Sequence, residues 1–268
     1  MKNMTLLRAS QACGGKLCGA FDPVAELGRV VIDSRAVQPG DLFVAYKGEK
    51  ADGHDYIAAA FDRGAACCLA QRIPEGETRP ILLAEDVQTA LERIAAEYRS
   101  GLSIPLVGIT GSVGKTSAKE MIAAVLEQRF RVLKTDKNLN NQIGVPMTIS
   151  RIEPEHQVAV VEMGISGFGE MRALAKIARP TIAVFTMIGH AHLEFLHDRA
   201  GVFRAKTEML EEMDEDAVVL VNGDDDLLRE LRCRQKKLSF GLGENCDIRA
   251  LDVKLEGEEQ TACCAARA

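Results

Sequence analysis

Gly108-Ile109-Thr110-Gly111-Ser112-Val113-Gly114-Lys115-Thr116-Ser117 is the stretch from which the fold is read. It follows the apolar run Pro105-Leu106-Val107 and opens a helical pattern that continues to about residue 128. A Gly-rich turn between a buried strand and a helix N-terminus is a cradle for phosphate. Bare backbone N–H groups point inward, and the positive end of the helix dipole favours an anion. The Lys115 ammonium is expected to reach the β- and γ-phosphates, and the Thr116 hydroxyl to hold a Mg²⁺ ion. The pattern G-x-x-x-x-G-K-[ST] puts its first glycine at position 109, where Ile109 stands, so the match rests on its second half. The expectation is a nucleoside triphosphate bound by Gly111, Ser112, Val113, Gly114, Lys115, Thr116 and Ser117.

Around this stretch, 268 residues leave room for two domains of ordinary size. The 47% hydrophobic and 27% charged content is that of a soluble globular protein. A formal net charge of −6, with no Lys- or Arg-rich block, gives no electrostatic footprint for nucleic acid. No apolar run approaches the roughly 20 residues that span a bilayer, and Met1-Lys2-Asn3-Met4-Thr5 lacks the apolar core of a signal peptide. A cytoplasmic monomer without a nucleic-acid or membrane partner is expected. The eight cysteines form no C-x-x-C pair, so they read as small buried hydrophobes in a reducing compartment rather than as zinc ligands or disulfides.

Residues 1–102 read as a small α/β domain. Strands are predicted over 29–32, 42–45, 65–70 and 80–84, with turns at Gln38-Pro39-Gly40-Asp41 and Asp52-Gly53-His54-Asp55. A short helix is expected over 56–63. From Asp86 a longer one places Val87, Leu91, Ile94, Ala95 and Tyr98 on one face. Taken alone, Ser34 and Arg35 are turn residues, and His54 is a solvated or hydrogen-bonded turn histidine. Spacing by itself does not make this domain a binding site.

Residues 103–268 read as a P-loop domain with a mostly parallel sheet. Strands are predicted over 131–135, 157–163, 181–187 and 217–222, and helices over 114–128, 141–149, 169–178 and 199–213. Ligands in such a sheet collect at the C-terminal ends of the strands. Glu162 ends the apolar run Val158-Ala159-Val160-Val161 and reads either as a Mg²⁺ ligand or as a strand-end glutamate in solvent. His190, His192 and His197 follow the strand over 181–187; His192 reads as a structural histidine or as a second metal ligand. Lys206 falls inside the stripe Val202, Met209, Leu210, Met213, so it either snorkels outward or has a partner and an altered charge state. Asn138-Leu139-Asn140-Asn141 reads as a capped turn, or as amides facing polar substrate groups.

In this order, these residues resemble the Mur ligase family. The matching pieces are Thr110 to Ser117, Asn138-Leu139-Asn140-Asn141-Gln142-Ile143-Gly144-Val145-Pro146, Glu162-Met163-Gly164, Ile188-Gly189-His190-Ala191-His192-Leu193-Glu194 and Ala205-Lys206-Thr207-Glu208. Asp33-Ser34-Arg35, Pro39-Gly40-Asp41-Leu42-Phe43 and Asp52-Gly53-His54-Asp55 extend the likeness, which runs from about residue 5 to about 255. Glu-Met-Gly and His-Leu-Glu point to the member that joins D-alanyl-D-alanine to UDP-N-acetylmuramoyl-tripeptide during peptidoglycan synthesis.

The resemblance implies an ATP-dependent amide ligase working through an acyl phosphate, with Lys115, Glu162, His192 and Lys206 as catalytic residues. It implies one Mg²⁺ held by Thr116 and Glu162, and a second supported by His192 and a carbamylated Lys206. Ser34, Arg35, Asp52, Gly53, His54, Asn138 and Asn141 would contact the UDP-substrate. Two positions depart from the family pattern: Met187 stands where Asn is usual, and His197-Asp198 where Gly-Ser is usual. Family members continue for well over a hundred residues more. A chain cut short within its nucleotide domain, lacking the C-terminal ligase domain and impaired in turnover, is therefore expected. A sister Mur or folylpolyglutamate-type ligase, or a non-catalytic nucleotide-binding remnant, are the alternatives.

Overall fold

The structure is a computed structural model that describes residues 1–48, 51–256 and 259–266. Its chain forms two compact units, 1–104 with 135–157 and 105–134 with 158–268. The first unit begins with α1 (Leu6–Cys13), capped by the Thr5 hydroxyl and buried through Leu6, Ala9 and Cys13 at helical spacing. Next come β1 (Lys16–Cys18), β2 (Val30–Val31) and β3 (Leu42–Val44), then α2 (Ile57–Asp62), β4 (Cys67–Ala70), β5 (Ile81–Leu83) and α3 (Val87–Ser100). Asp86 caps α3 by accepting from the Thr89 N–H at 2.6 Å, and the buried face carries Leu91, Ile94, Ala95 and Tyr98 as its periodicity predicts.

The Gly-rich segment then forms β6 (Leu106–Thr110), α4 (Lys115–Glu127) and β7 (Val132–Lys134). After β7 the chain returns to the first unit, where α5 (Gly144–Ser150) packs on α3 and β2. There the Tyr98 hydroxyl donates to the Ile152 carbonyl, and the Ser150 hydroxyl accepts from the Val30 N–H at 3.1 Å. The second unit continues with β8 (Val158–Glu162), α6 (Glu170–Ala178), β9 (Ile182–Phe185), α7 (Leu193–Leu196), α8 (Arg199–Thr207), β10 (Val218–Asn222), α9 (Asp226–Arg229), β11 (Lys236–Gly241), β12 (Ile248–Glu256) and β13 (Glu259–Ala266). The helix expected over 199–213 ends at Thr207 and tightens into a 3₁₀ turn at Glu208–Glu212.

In the first unit the sheet order is β1-β5-β4-β3-β2; β2 to β5 run parallel, and β1 pairs antiparallel with β5. Its core gathers Phe43, Ile57, Phe61, Cys68 and Ile81. In the second unit the order is β13-β12-β11-β10-β9-β6-β8-β7, parallel throughout except for β12 with β13. Val107, Ile109, Val158, Val160 and Val184 pack beneath α4 with Ala123. β6 lies between β8 and β9, so the connection after β6 leads to one side of the sheet and that after β9 to the other. Such a reversal opens a crevice at the strand C-termini.

Among the described residues no helix is long and apolar enough to cross a membrane. All eight cysteines are free. The buried-hydrophobe reading holds for Cys13, Cys67, Cys68 and Cys246; Cys18 and Cys233 are half-buried, and Cys263 and Cys264 are exposed on the terminal strand. Burial pushes the Cys67 thiol up to about 12, since a thiolate there would lose its hydration.

Candidate active site

The loop after β6 has a shape that only glycine allows at its start. Gly111 has φ +154°, and a Cβ built there would lie 1.9 Å from the Thr186 hydroxyl oxygen. Thr186, at the end of β9, fills that space and donates to the Val113 carbonyl at 2.6 Å. α4 begins at Lys115, so the helix N-terminus faces the loop as the sequence predicts. Lys115 folds back over the loop, its Nζ 2.8 Å from the Gly111 carbonyl. Burial lowers its pKa, opposed by the nearby Glu162 carboxylate.

Glu162 sits beside the loop because β8 pairs with β6, with Ile109 and Glu162 in register. The Thr116 hydroxyl donates to Glu162 Oε2 at 3.0 Å, and Glu162 is 2% exposed, which excludes the solvated strand-end reading. A hydroxyl and a carboxylate in contact at the mouth of a phosphate-type loop are hard oxygen donors, the set that suits Mg²⁺. Lys206 on α8 is 2% exposed, so it does not snorkel. Burial brings its pKa down to about 8, and repulsion from Lys115 adds to the shift. His192 stands at φ +53° as the N-cap of α7 and is exposed.

At the two departures from the family pattern, backbone geometry and a helix cap define the local structure. His197 takes φ +68°, a conformation glycine favours, and Asp198 caps α8 by accepting from the Gly201 N–H at 2.6 Å. Met187 serves through its carbonyl, which accepts from the Ser112 N–H at 2.8 Å whatever the side chain.

Residues that sequence reasoning missed surround this loop. The Asn222 amide donates to the Thr186 carbonyl at 2.9 Å, and Asp225 accepts from the Ile188 N–H at 2.8 Å. Arg199 donates to the Ile188 carbonyl at 2.6 Å and also reaches Asp225 at 3.2 Å. Their separations along the chain leave no local pattern to find; only the cap Asp225 makes on α9 is a local signal.

In the first unit, the turns after β2 and β3 both pack on α2 at the C-terminal rim of the parallel strands. One carries Ser34, buried, and Arg35, whose exposed guanidinium pairs with Asp33 at 2.8 Å. The other carries Asp52, Gly53 and His54. His54 is buried: its Nε2 accepts from the Gln71 N–H at 3.0 Å, leaving the proton on Nδ1 to donate to Asp52 Oδ1 at 2.6 Å. Hydrogen bonds from the His54 N–H, then the His54 ring and Arg72, hold the Asp52 carboxyl well below the usual carboxylate range. Gly53 lies so close to Tyr46 that a Cβ would meet its backbone N at 2.7 Å. Asn141 caps the approach to α5, its Oδ1 accepting from the Gly144 N–H at 2.9 Å, and Asn138 is exposed. Both asparagines pack with the first unit.

Residues 109–266 match the model of the Mur ligase middle domain, and residues 26–141 that of the Mur ligase family, catalytic domain. The chain belongs to the Mur ligase family. Among relatives, the UDP-N-acetylmuramoyl-tripeptide--D-alanyl-D-alanine ligase of Synechocystis is 41% identical over 221 residues, covering 81% of this chain and 49% of that protein. The Bacillus subtilis ligase of the same name is 39% identical over 234 residues, covering 87% and 51%. The crystal structure of MurF from Acinetobacter baumannii superposes with a TM-score of 0.88 at 32% identity, covering 98% of this chain and 58% of that one. MurF ligase from Thermotoga maritima in complex with ADP gives 0.80 at 35% identity, covering 89% and 56%. This Mur ligase chain thus spans about half the length of the curated relatives it matches. Its two sheets are those of the MurF fold.

Proposed function

We propose that this chain supplies the UDP-substrate unit and the ATP site of a ligase that joins D-alanyl-D-alanine to UDP-N-acetylmuramoyl-tripeptide. The observation that carries this reading is the Thr116–Glu162 pair, 3.0 Å apart at the mouth of a loop opened by Gly111. The relatives' printed activity and the ADP complex of a similar structure support it.

In this reading the γ-phosphate of ATP lies against the loop amides and Lys115. The terminal carboxylate of the tripeptide attacks its phosphorus, forming a P–O bond as ADP leaves. The amine of D-alanyl-D-alanine then attacks the acyl carbon, and phosphate and a proton are released as the amide forms. Lys115 neutralises charge on the transferring phosphoryl group, and the loop N–H groups, already oriented, need no reorganisation to do the same. Thr116 and Glu162 would hold one Mg²⁺, and His192 with a carbamylated Lys206 a second; Mg²⁺ supplies charge stabilisation at the phosphate oxygens. The lowered pKa of Lys206 supports carbamylation, because only the neutral amine attacks CO₂. Ser34, Arg35, Asp52, Gly53 and His54, with Asn138 and Asn141 in the same unit, would receive the UDP-substrate. The internal bonds of His54 give it the role of holding that turn in shape.

A calorimetric titration tests the reading. UDP-N-acetylmuramoyl-tripeptide should bind, UDP-N-acetylmuramoyl-dipeptide should compete poorly, and Mg-ATP should bind independently of either. Nucleotide binding with no affinity for either UDP-sugar would favour a nucleotide-binding module instead.

A further inference from the structure

The turn Thr186–Gly189 is held by both of its flanks. On the side of the phosphate loop, the Ser112 N–H donates to the Met187 carbonyl at 2.8 Å and the Ser112 hydroxyl accepts from the Gly189 N–H at 2.9 Å. On the outer side, Asn222 donates to the Thr186 carbonyl, Asp225 accepts from the Ile188 N–H, and Arg199 donates to the Ile188 carbonyl. The amides and carbonyls of the turn are thus taken from alternate sides. A turn so fixed can only move with the residues that hold it.

Asp225 is the centre of the outer flank. It is 5% exposed, and its two oxygens have separate work: Oδ1 accepts from the Leu227 and Leu228 N–H groups at the start of α9, while Oδ2 accepts from Ile188 and Arg199. Arg199 leads α8, the helix that carries Lys206, so the same clamp joins the origin of that helix to the turn.

We propose that Asp225 and Arg199 are positioning residues for the phosphate loop. Their role is exerted through the turn they hold. By fixing the height of the Thr186–Gly189 turn, they hold Ser112 and Val113 in the shape that receives a triphosphate. This rests on the nucleotide reading given above.

The substitution Asp225→Asn separates the two roles. Asparagine keeps one acceptor for the α9 cap and presents an NH₂ group to the Ile188 N–H and to Arg199, so only the clamp is opposed. Mg-ATP affinity should fall about five- to tenfold, the range in which residues remote from a ligand bias its site. Arg199→Ala, at a half-buried side chain, should act in the same direction and serves if Asp225→Asn does not fold. Ser112→Ala loosens the opposite flank: it removes the hydroxyl that accepts from the Gly189 N–H and keeps the backbone bond to the Met187 carbonyl. Because both substitutions act through one turn, Asp225→Asn should cost about twofold or less when added to Ser112→Ala. Amide exchange at Ser112 and Gly189 should quicken in Asp225→Asn even without nucleotide, while the Leu228 amide stays protected.

Additive losses in the double variant, or Mg-ATP affinity within twofold of wild type in both Asp225→Asn and Arg199→Ala, would overturn the inference. Failure of the wild-type chain to bind Mg-ATP would overturn the nucleotide reading, and with it this role, whatever the exchange rates show.

Discussion

The substitution Gly111→Ala puts the loop geometry to the test. Its Cβ would lie 1.9 Å from Thr186 Oγ1 and 3.1 Å from the Met187 nitrogen, both inside van der Waals contact. The backbone at φ +154° adds a conformation that is strained for any residue with a Cβ, costing about 1–3 kcal/mol. Overpacking a well-filled site costs about 1–3 kcal/mol more. Rotation of Thr186 relieves part of the second cost but gives up its 2.6 Å hydrogen bond to Val113, so a net loss of about 3 kcal/mol is expected. That is a large share of a typical stability of about 5–15 kcal/mol. Hydrogen exchange of the β6 and α4 peptides along a urea series isolates this unit from the other. Adding Thr186→Ala to Gly111→Ala should recover part of the loss, although Thr186→Ala alone is destabilising. A loss below about 1 kcal/mol, or strictly additive losses in the double variant, would refute the argument that Thr186 occupies the missing Cβ.

Three further outcomes follow from named contacts. Glu162→Gln keeps the shape of the site but removes its negative charge, so the Mg²⁺ dependence of ATP binding should weaken about tenfold or more, read by titration at varied Mg²⁺. Tyr98→Phe leaves the buried Ile152 carbonyl without its donor and should cost about 1–2 kcal/mol of first-unit stability in urea unfolding, with nucleotide affinity unchanged. Asp52 has a folded-state pKa below its unfolded value, so its stabilising contribution is present above pH of about 4 and is lost as pH falls through the folded value. The acid limb of the stability–pH curve should be flatter in Asp52→Asn than in wild type.

Much of this architecture is legible because its signals are local. Gly111, Gly114 and Lys115 mark a strand–loop–helix junction in ten residues, and the run ending at Glu162 marks a buried strand with a carboxylate at its tip. Periodicity placed Lys206 on an apolar face but could not decide between snorkelling and burial, because that depends on what packs over α8. The clamp was invisible for the same kind of reason: Arg199, Asn222 and Asp225 meet the turn across 11 to 37 residues of chain. The segment 135–157 reads as one more strand-to-helix connection of the nucleotide domain. Only the packing of α5 on α3 and β2 shows that it belongs with the first unit. α1 and β1 left no strong pattern, being a helix of two turns and an edge strand of three residues.

The central claim is that the Gly111–Ser117 loop receives a nucleoside triphosphate, and calorimetric titration of Mg-ATP into the wild-type chain and Lys115→Ala tests it most directly. The account predicts a single site in the wild type, weakened about tenfold to a hundredfold in the variant, as expected for losing a charged hydrogen-bond donor to phosphate. No heat of binding in the wild type, or equal affinity in the two proteins, would contradict it.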